Sequence, residues 1–448
     1  MSCLNASIET TKNTSLCQIE DFDFVRFTFA DIHGISRGKS IPKRHVSRFM
    51  EEGLDLYAGA TAFGVGCEIL NYPEVVAVSF GNLMLVPCLD TLHALPWVTP
   101  EKHRVGEILC ETRWMDGNPQ EMCPRFIARK QLESMRDHGY TLTSAFEFEF
   151  MLTDAESKQP LFSDHNLFSH YKFAPYEPFM YEFDSFLAGS GVDIESYQLE
   201  YSHGQFEVAT NAASGIRTPD MGFILKEALK EICVQKHQRA TFMTKPSATQ
   251  FANGLHFNHS VFNLAGSNLF YDAESDSNLS DIARYWLAGL VAHAGALVAI
   301  CSPTVNCYRR LHQPWTPGIA NWAISDRMTC FRVKAKNEKR TYIENRIPGG
   351  SANPYLVVAA TVAAGMDGVK RKLKCPVEKE DGAKRLPDTL SQALQELQSD
   401  VIMVEALGEQ FVRWFVKVKT EVELEQLKDV DITKMDVEKE RQLYFEML

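Results

Sequence analysis

Glu147, Glu149, Glu200, Glu207, His256 and Glu344 are the residues of this 448-residue chain best suited to chemistry. Each lies in a short stretch that alternates like a β-strand. In Ser144–Leu152 the rings of Phe146, Phe148 and Phe150 fall on one face and Glu147 and Glu149 on the other, because strand side chains point to opposite sides in turn. Glu200 and Glu207 flank His203-Gly204-Gln205, a turn that can bring both to one point. His256, Asn258 and Ser260 share a face, opposed by His259, and Glu344 and Arg346 share another. Taken singly, each stretch has an ordinary reading: glutamates on a wet strand face, a hydrogen-bonded strand histidine, a surface ion pair. Taken together, five carboxylates and an imidazole converging on one cavity could not all stay ionised without cations. Oxygen and imidazole ligands suit hard divalent metals.

The elements that must position these residues can be read coarsely. Phe22–Phe29 reads as a strand, with Gly38–Ile41 returning beside it and a helix over Pro42–Gly53. Val75–Val78, Leu83–Pro87 and Gly106–Thr112 are further strand candidates. Asp116-Gly-Asn-Pro-Gln120 is the best linker. Pro124–His138 reads as a helix with proline in its first turn, followed by the strand bearing Glu147 and Glu149. Asp220–Gln238, Ser280–Ile300, Pro387–Leu397 and Val401–Gln426 read as helices, and Lys370–Lys384 as a solvated loop. Residues 1–18 are polar and read as a disordered tail. The fold expected is α+β, with domains at 19–115 and 120–448.

Bulk properties narrow the partners. The chain is 45% hydrophobic and 23% charged, with a formal net charge of −12 and no basic block. That argues against nucleic acid and against an anionic membrane surface. The apolar stretches Trp286–Ile300 and Leu356–Met366 fall short of the roughly 18 residues that span a bilayer and read as buried helices. The 11 cysteines form no CxxC or zinc-like cluster. They look like reduced thiols, so a cytoplasmic protein is expected.

The motifs occur in one order: Ala145–Phe150, Glu200–Glu207, Gly254-Leu-His256, Asn306–Leu311, then Ile343–Pro348 with Ala352–Tyr355. That series resembles the class I glutamine synthetases, from about residue 20 to the C-terminus. The resemblance implies a small N-terminal β-grasp domain and a large catalytic-type domain with a curved antiparallel sheet. It also implies a dodecamer of two stacked hexameric rings with sites between subunits, and two divalent cations, Mg or Mn. In that family the cations help a glutamate γ-carboxylate attack ATP, and ammonia captures the acyl phosphate. By motif, Glu149, Glu200 and Glu207 correspond to ligands of one metal, and Glu147, His256 and Glu344 to ligands of the nucleotide-side metal. Arg310 and Arg346 match the arginines that hold the glutamate carboxylate and the transferring phosphate.

The pattern breaks where ammonium is handled. Ala58 stands at the family's Asp position, with Asp55 three residues away. Thr316 stands at the flap Glu, and Leu311–Ser325 contains no Asp or Glu. Ser325 replaces an Arg, Phe251–Gly254 replaces an Asn-Gly-Ser-Gly loop, and Asn258 replaces a second His. Losing one general base costs about 10²–10⁴ in rate, and losing an electrostatic stabiliser about 10²–10³. This mixture is similar to the catalytically silent lens branch of the superfamily, whose members associate with intermediate filament proteins as chaperone or cytoskeletal components. The reading therefore leans against an enzyme, with metals as structural ions and ATP a ligand the lost groups argue against. Two alternatives stand beside it: an ATP-dependent γ-glutamyl ligase for ammonia or a bulkier amine, and a metal or nucleotide sensor.

Overall fold

The computed structural model describes residues 17–99 and 101–448, so residues 1–16 of the expected tail lie outside it. The fold is α+β, built on two sheets. The six-stranded first sheet runs Ser36–Pro42, Phe24–Ala30, Val105–Trp114, Asn82–Pro87 and Leu54–Tyr57, with His93–Ala94 added to Val105–Trp114. Phe24–Ala30 and Val105–Trp114 are parallel, and the other pairs are antiparallel.

The nine-stranded second sheet positions the site. Its order is Trp322–Ile324, Phe331–Ala335, Thr341–Asn345, Leu255–Asn263, Tyr140–Asp154, Gln205–Thr210 and Ile194–Leu199, with two further short strands on Tyr140–Asp154. Tyr140–Asp154 alternates as its sequence requires: Phe146, Phe148 and Phe150 are fully buried, while Glu147 and Glu149 are half-buried on the opposite face. Each buried ring contributes about 2 kcal/mol. The rings pack into an aromatic layer in which Phe146 meets Phe257 at 4.8 Å and Phe150 stacks on Phe206 at 5.9 Å. A one-residue slip would turn these rings to the glutamate face, so the core fixes the register.

Behind this layer lie Arg217–Gln235 and Pro354–Arg371, the latter almost wholly buried. One apolar core runs from Phe22 to Leu448 and joins both sheets. Among the described residues no single helix is long and apolar enough to cross a membrane.

Three expectations from the sequence need correction. Val75–Val78 is not a strand: Val75–Ala77 belong to a short helix, Pro73–Ala77, with Pro73 in its first turn, and Val78 caps its end. Val75 alone is buried there, and the helix is held by Glu74 accepting from Trp414 Nε1 at 2.8 Å beside the Tyr72–Trp414 stack at 3.8 Å. Tertiary packing overrides the β-branched propensity. Ser280–Ile300 is two helices, Asp281–Ala292 and Ala294–Cys301, bent by 72° at His293. Val401–Gln426 breaks at Gly408, whose φ of +105° no helix accommodates, and ends in a π-helical turn at Lys419–Leu424.

Candidate metal centre

Sheet register brings the six residues together. His256 lies directly across from Glu147, Glu149 across from Glu207, and Asn258 across from Glu344. Because the side-chain period is two, all of these project from the face opposite the phenylalanine layer. Glu200 arrives on the turn after Ile194–Leu199.

His256 is the hub. Its Nδ1 is 3.2 Å from Glu147 and 3.7 Å from Glu344, and its Nε2 is 3.8 Å from Glu149. Ligand atoms of Glu147, His256 and Glu344 all lie within 4.8 Å of one another, an arrangement suited to a divalent ion with mixed oxygen and imidazole donors. Glu344 is buried and ion-paired to Arg346 and to Arg332, the latter at 3.0 Å. Burial acts to raise the Glu147 carboxyl, but the hydrogen bond and charge of His256, with Asn258 and Arg346, hold it down at about 2.

Glu149, Glu200 and Glu207 are not gathered as tightly. The Gln198 amide spans the second pair, 3.1 Å from Glu200 and 3.0 Å from Glu207. Glu149 accepts from Gly254 N–H at 2.8 Å and from Gln205 at 3.3 Å. Burial, then the neighbouring carboxylates led by Glu149, push Glu207 up to about 10 and Glu200 to about 7. An oxygen-rich, acid-crowded set of this kind fits a hard cation. Gly254 sits where the two groups meet: a Cβ there would stand 3.0 Å from His256 Nε2 and 3.2 Å from both Arg310 Nη2 and Glu149 Oε1.

The remaining named residues are placed as follows. Arg310 is buried, with Nη1 and Nη2 donating to the Ile347 and Arg346 carbonyls at 3.0 and 2.9 Å. Arg346 also donates to Trp315 O at 3.3 Å, tying the flap to the centre. The Thr316 hydroxyl lies 2.7 Å from Arg310 O and 2.8 Å from Gln313 O, closing the flap's own turn. Ala58 is buried, its carbonyl accepting from Gln120 at 2.8 Å, while the Asp55 carboxylate faces Asn82. Ser325 is exposed with a left-handed φ of +59°. Asn258 donates to Glu147 at 2.9 Å. Sequence reasoning missed Arg332, Gln198 and Gln205. Gln198 is two residues from Glu200, but its role needs the pairing of Gln198 with Glu207.

Residues 121–440 match the glutamine synthetase catalytic domain. The chain belongs to the glutamine synthetase family. Rat lengsin is 31% identical over 418 residues, which cover 88% of this chain and 72% of that protein. A glutamine synthetase of Thermotoga maritima is 29% identical, covering 92% and 94%. A glutamate–isopropylamine ligase of a Pseudomonas species is 28% identical, covering 79% of each. Among solved structures, a glutamine synthase homologue superposes with a TM-score of 0.83 at 25% identity, covering 94% of this chain and 99% of that one. A GmaS–ADP complex gives 0.82 at 26%, covering 92% and 95%.

Proposed function

We propose that this glutamine synthetase-family protein binds divalent metal, Mg or Mn, at Glu147, His256 and Glu344 and at Glu149, Glu200 and Glu207, but does not ligate ammonia. The observation that carries this reading is the assembled carboxylate–histidine shell beside a flap, Leu311–Ser325, that contains no Asp or Glu. When bound, such cations supply Lewis-acid stabilisation of phosphoryl and carboxyl oxygens. This chain's own residues supply orientation: Arg332 and Arg346 fix Glu344, Asn258 fixes Glu147, and Gln198 fixes Glu200 and Glu207. No acid of the flap takes a proton from ammonium, and Ala58 offers no carboxylate to bind it. Catalytic roles are accordingly assigned to none of Ala58, Thr316 and Ser325, and Arg310 and Arg346 remain as an anion-binding remnant. Release of ADP with glutamate, ammonium and Mn at background level is the expected result, and turnover within about tenfold of an active synthetase would overturn it.

From the resemblance to the lens branch of the family we further propose a structural or chaperone role of the kind found in lens fibre differentiation, in a cytoplasmic homododecamer that associates with intermediate filaments. Electron micrographs of purified protein test the assembly: two stacked six-membered rings are expected. Co-sedimentation with assembled filaments tests the partner, and protein left wholly in the supernatant would contradict it.

The second reading is a γ-glutamyl ligase for an amine bulkier than ammonia. The isopropylamine ligase match favours it, and so does the small side chain at Ala58. Amine-stimulated ADP release across a panel of primary amines would establish it, and a flat panel would remove it.

A further inference from the structure

A cavity of about 590 Å³ is lined by none of the six metal-centre residues and takes no part in the chemistry described above. Three segments wall it: the 157–160 loop with Lys158, the Pro246–Gln250 loop with Ser247 and Thr249, and the C-terminal helix with Arg441. His203, from the turn between Glu200 and Glu207, completes the lining. Its volume is that of a small-molecule pocket.

The lining is polar, with Lys158 and Arg441 set against the single carboxylate of Glu438. Arg441 is half-buried and holds the cavity together, donating to Pro246 O at 2.6 Å and Lys158 O at 3.4 Å, and its nearest carboxylate, Glu438, is a loose 4.0 Å away. Burial lowers the Arg441 pKa, the signature of a cation short of counter-charge. Lys158 pairs with Glu446 at 2.9 Å. The Ser247 and Thr249 hydroxyls lie 3.4 Å apart, Ser247 Oγ also accepting from Thr249 N–H at 3.4 Å, and the His203 ring makes no hydrogen bond to another described residue. The Arg441 guanidinium carries five N–H donors and meets two carbonyl oxygens among the described residues, which leaves donors for an anion.

Three parts of the lining lead toward the metal centre. The Pro246–Gln250 loop runs on to Gly254, whose N–H holds Glu149. The turn bearing His203 joins Glu200 to Glu207. The C-terminal helix carries Glu440, which grips Arg309 and Asn306, next to Arg310. We propose that this cavity is an effector site for a small organic anion, a phosphate ester or a carboxylate, held by Arg441, His203 and the Ser247 and Thr249 hydroxyls.

The test is hydrogen exchange read by mass spectrometry on the full chain, with glycerol 3-phosphate and glutarate as separate probes. One probe at millimolar concentration is expected to slow exchange at least threefold in peptides covering 246–254 and 438–445. Protection by only the first assigns a phosphate ester, and by only the second a carboxylate. In Arg441→Gln the protection should be lost. Thr249→Glu, an exposed loop substitution that leaves Arg441 in place, should also abolish it by repelling the anion. No protection by either probe, or protection that persists in Thr249→Glu, would overturn the proposal.

Discussion

At the scale of single residues, the centre is balanced by what stands between the carboxylates. Glu344 and Glu147 have cationic or amide partners, whereas Glu207 has Gln198 and other acids. A carboxyl raised from its ordinary value near 4.5 to about 10 favours its neutral form in the fold. Its favourable contribution is complete below the unfolded pKa and is lost as pH rises through the folded one. Metal-free protein should therefore lose stability from about pH 4.5 upward, first through Glu200 at about 7 and then through Glu207. Added Mn should flatten that slope. Glu207→Gln should raise the melting temperature of metal-free protein and abolish most of the Mn-induced increase, both read by calorimetry. Gly254→Ala tests the junction differently. Its Cβ would crowd His256, Glu149 and Arg310 at once, so Mn affinity should fall by about tenfold, roughly 1.4 kcal/mol, with melting little changed. Unaltered affinity in titration calorimetry would show that the two carboxylate groups do not share a wall at Gly254.

At the scale of elements, alternation made the strands legible. Ser144–Leu152 and Leu255–Ser260 carry their own period, and the Phe146–Phe148–Phe150 face could only be the core. Legibility stopped where partners decide. Arg332 and Gln198 acquire their roles from cross-strand neighbours that no local pattern reveals. The bend at His293 was hidden for the same reason, since the stretch around it is uniformly apolar. There the imidazole reaches Asp400 at 2.6 Å through Nδ1 and Asp367 at 3.0 Å through Nε2. Donating from both nitrogens requires the imidazolium. Burial lowers the His293 pKa, but the two aspartates outweigh it and raise the value. A raised histidine stabilises fully below its ordinary pKa, near 6.5, and that contribution is lost as pH rises through the folded value. Denaturant melts between pH 6 and 9 should show this loss in the native chain and not in His293→Gln. The variant should be weaker by about 3 kcal/mol at pH 6. Equal pH slopes in both proteins would mean the bend is held by packing alone.

For the whole molecule, the sequence motifs and the sheet register agree on the family and on a centre assembled from strands far apart in the chain. The departures from the family pattern lie in loops and turns: Ala58, the flap at Thr316, the left-handed Ser325 and the Phe251–Gly254 segment. Restoring two acids, Ala58→Asp with Thr316→Glu, should leave ammonia-dependent turnover far below that of an active synthetase, because Ser325 and the 251–254 loop still differ. Thr316 also closes its own turn through Arg310 O, so the replacement disturbs the flap it repairs. Recovery to full activity in a steady-state assay would show those other changes to be neutral. The central claim, metal retained and ligation lost, meets its most direct test in one sample. Protein loaded with Mn, its metal content measured, is assayed for ATP-dependent γ-glutamyl transfer to ammonia. The account predicts bound Mn without turnover above background; turnover comparable to an active synthetase in that sample would contradict it.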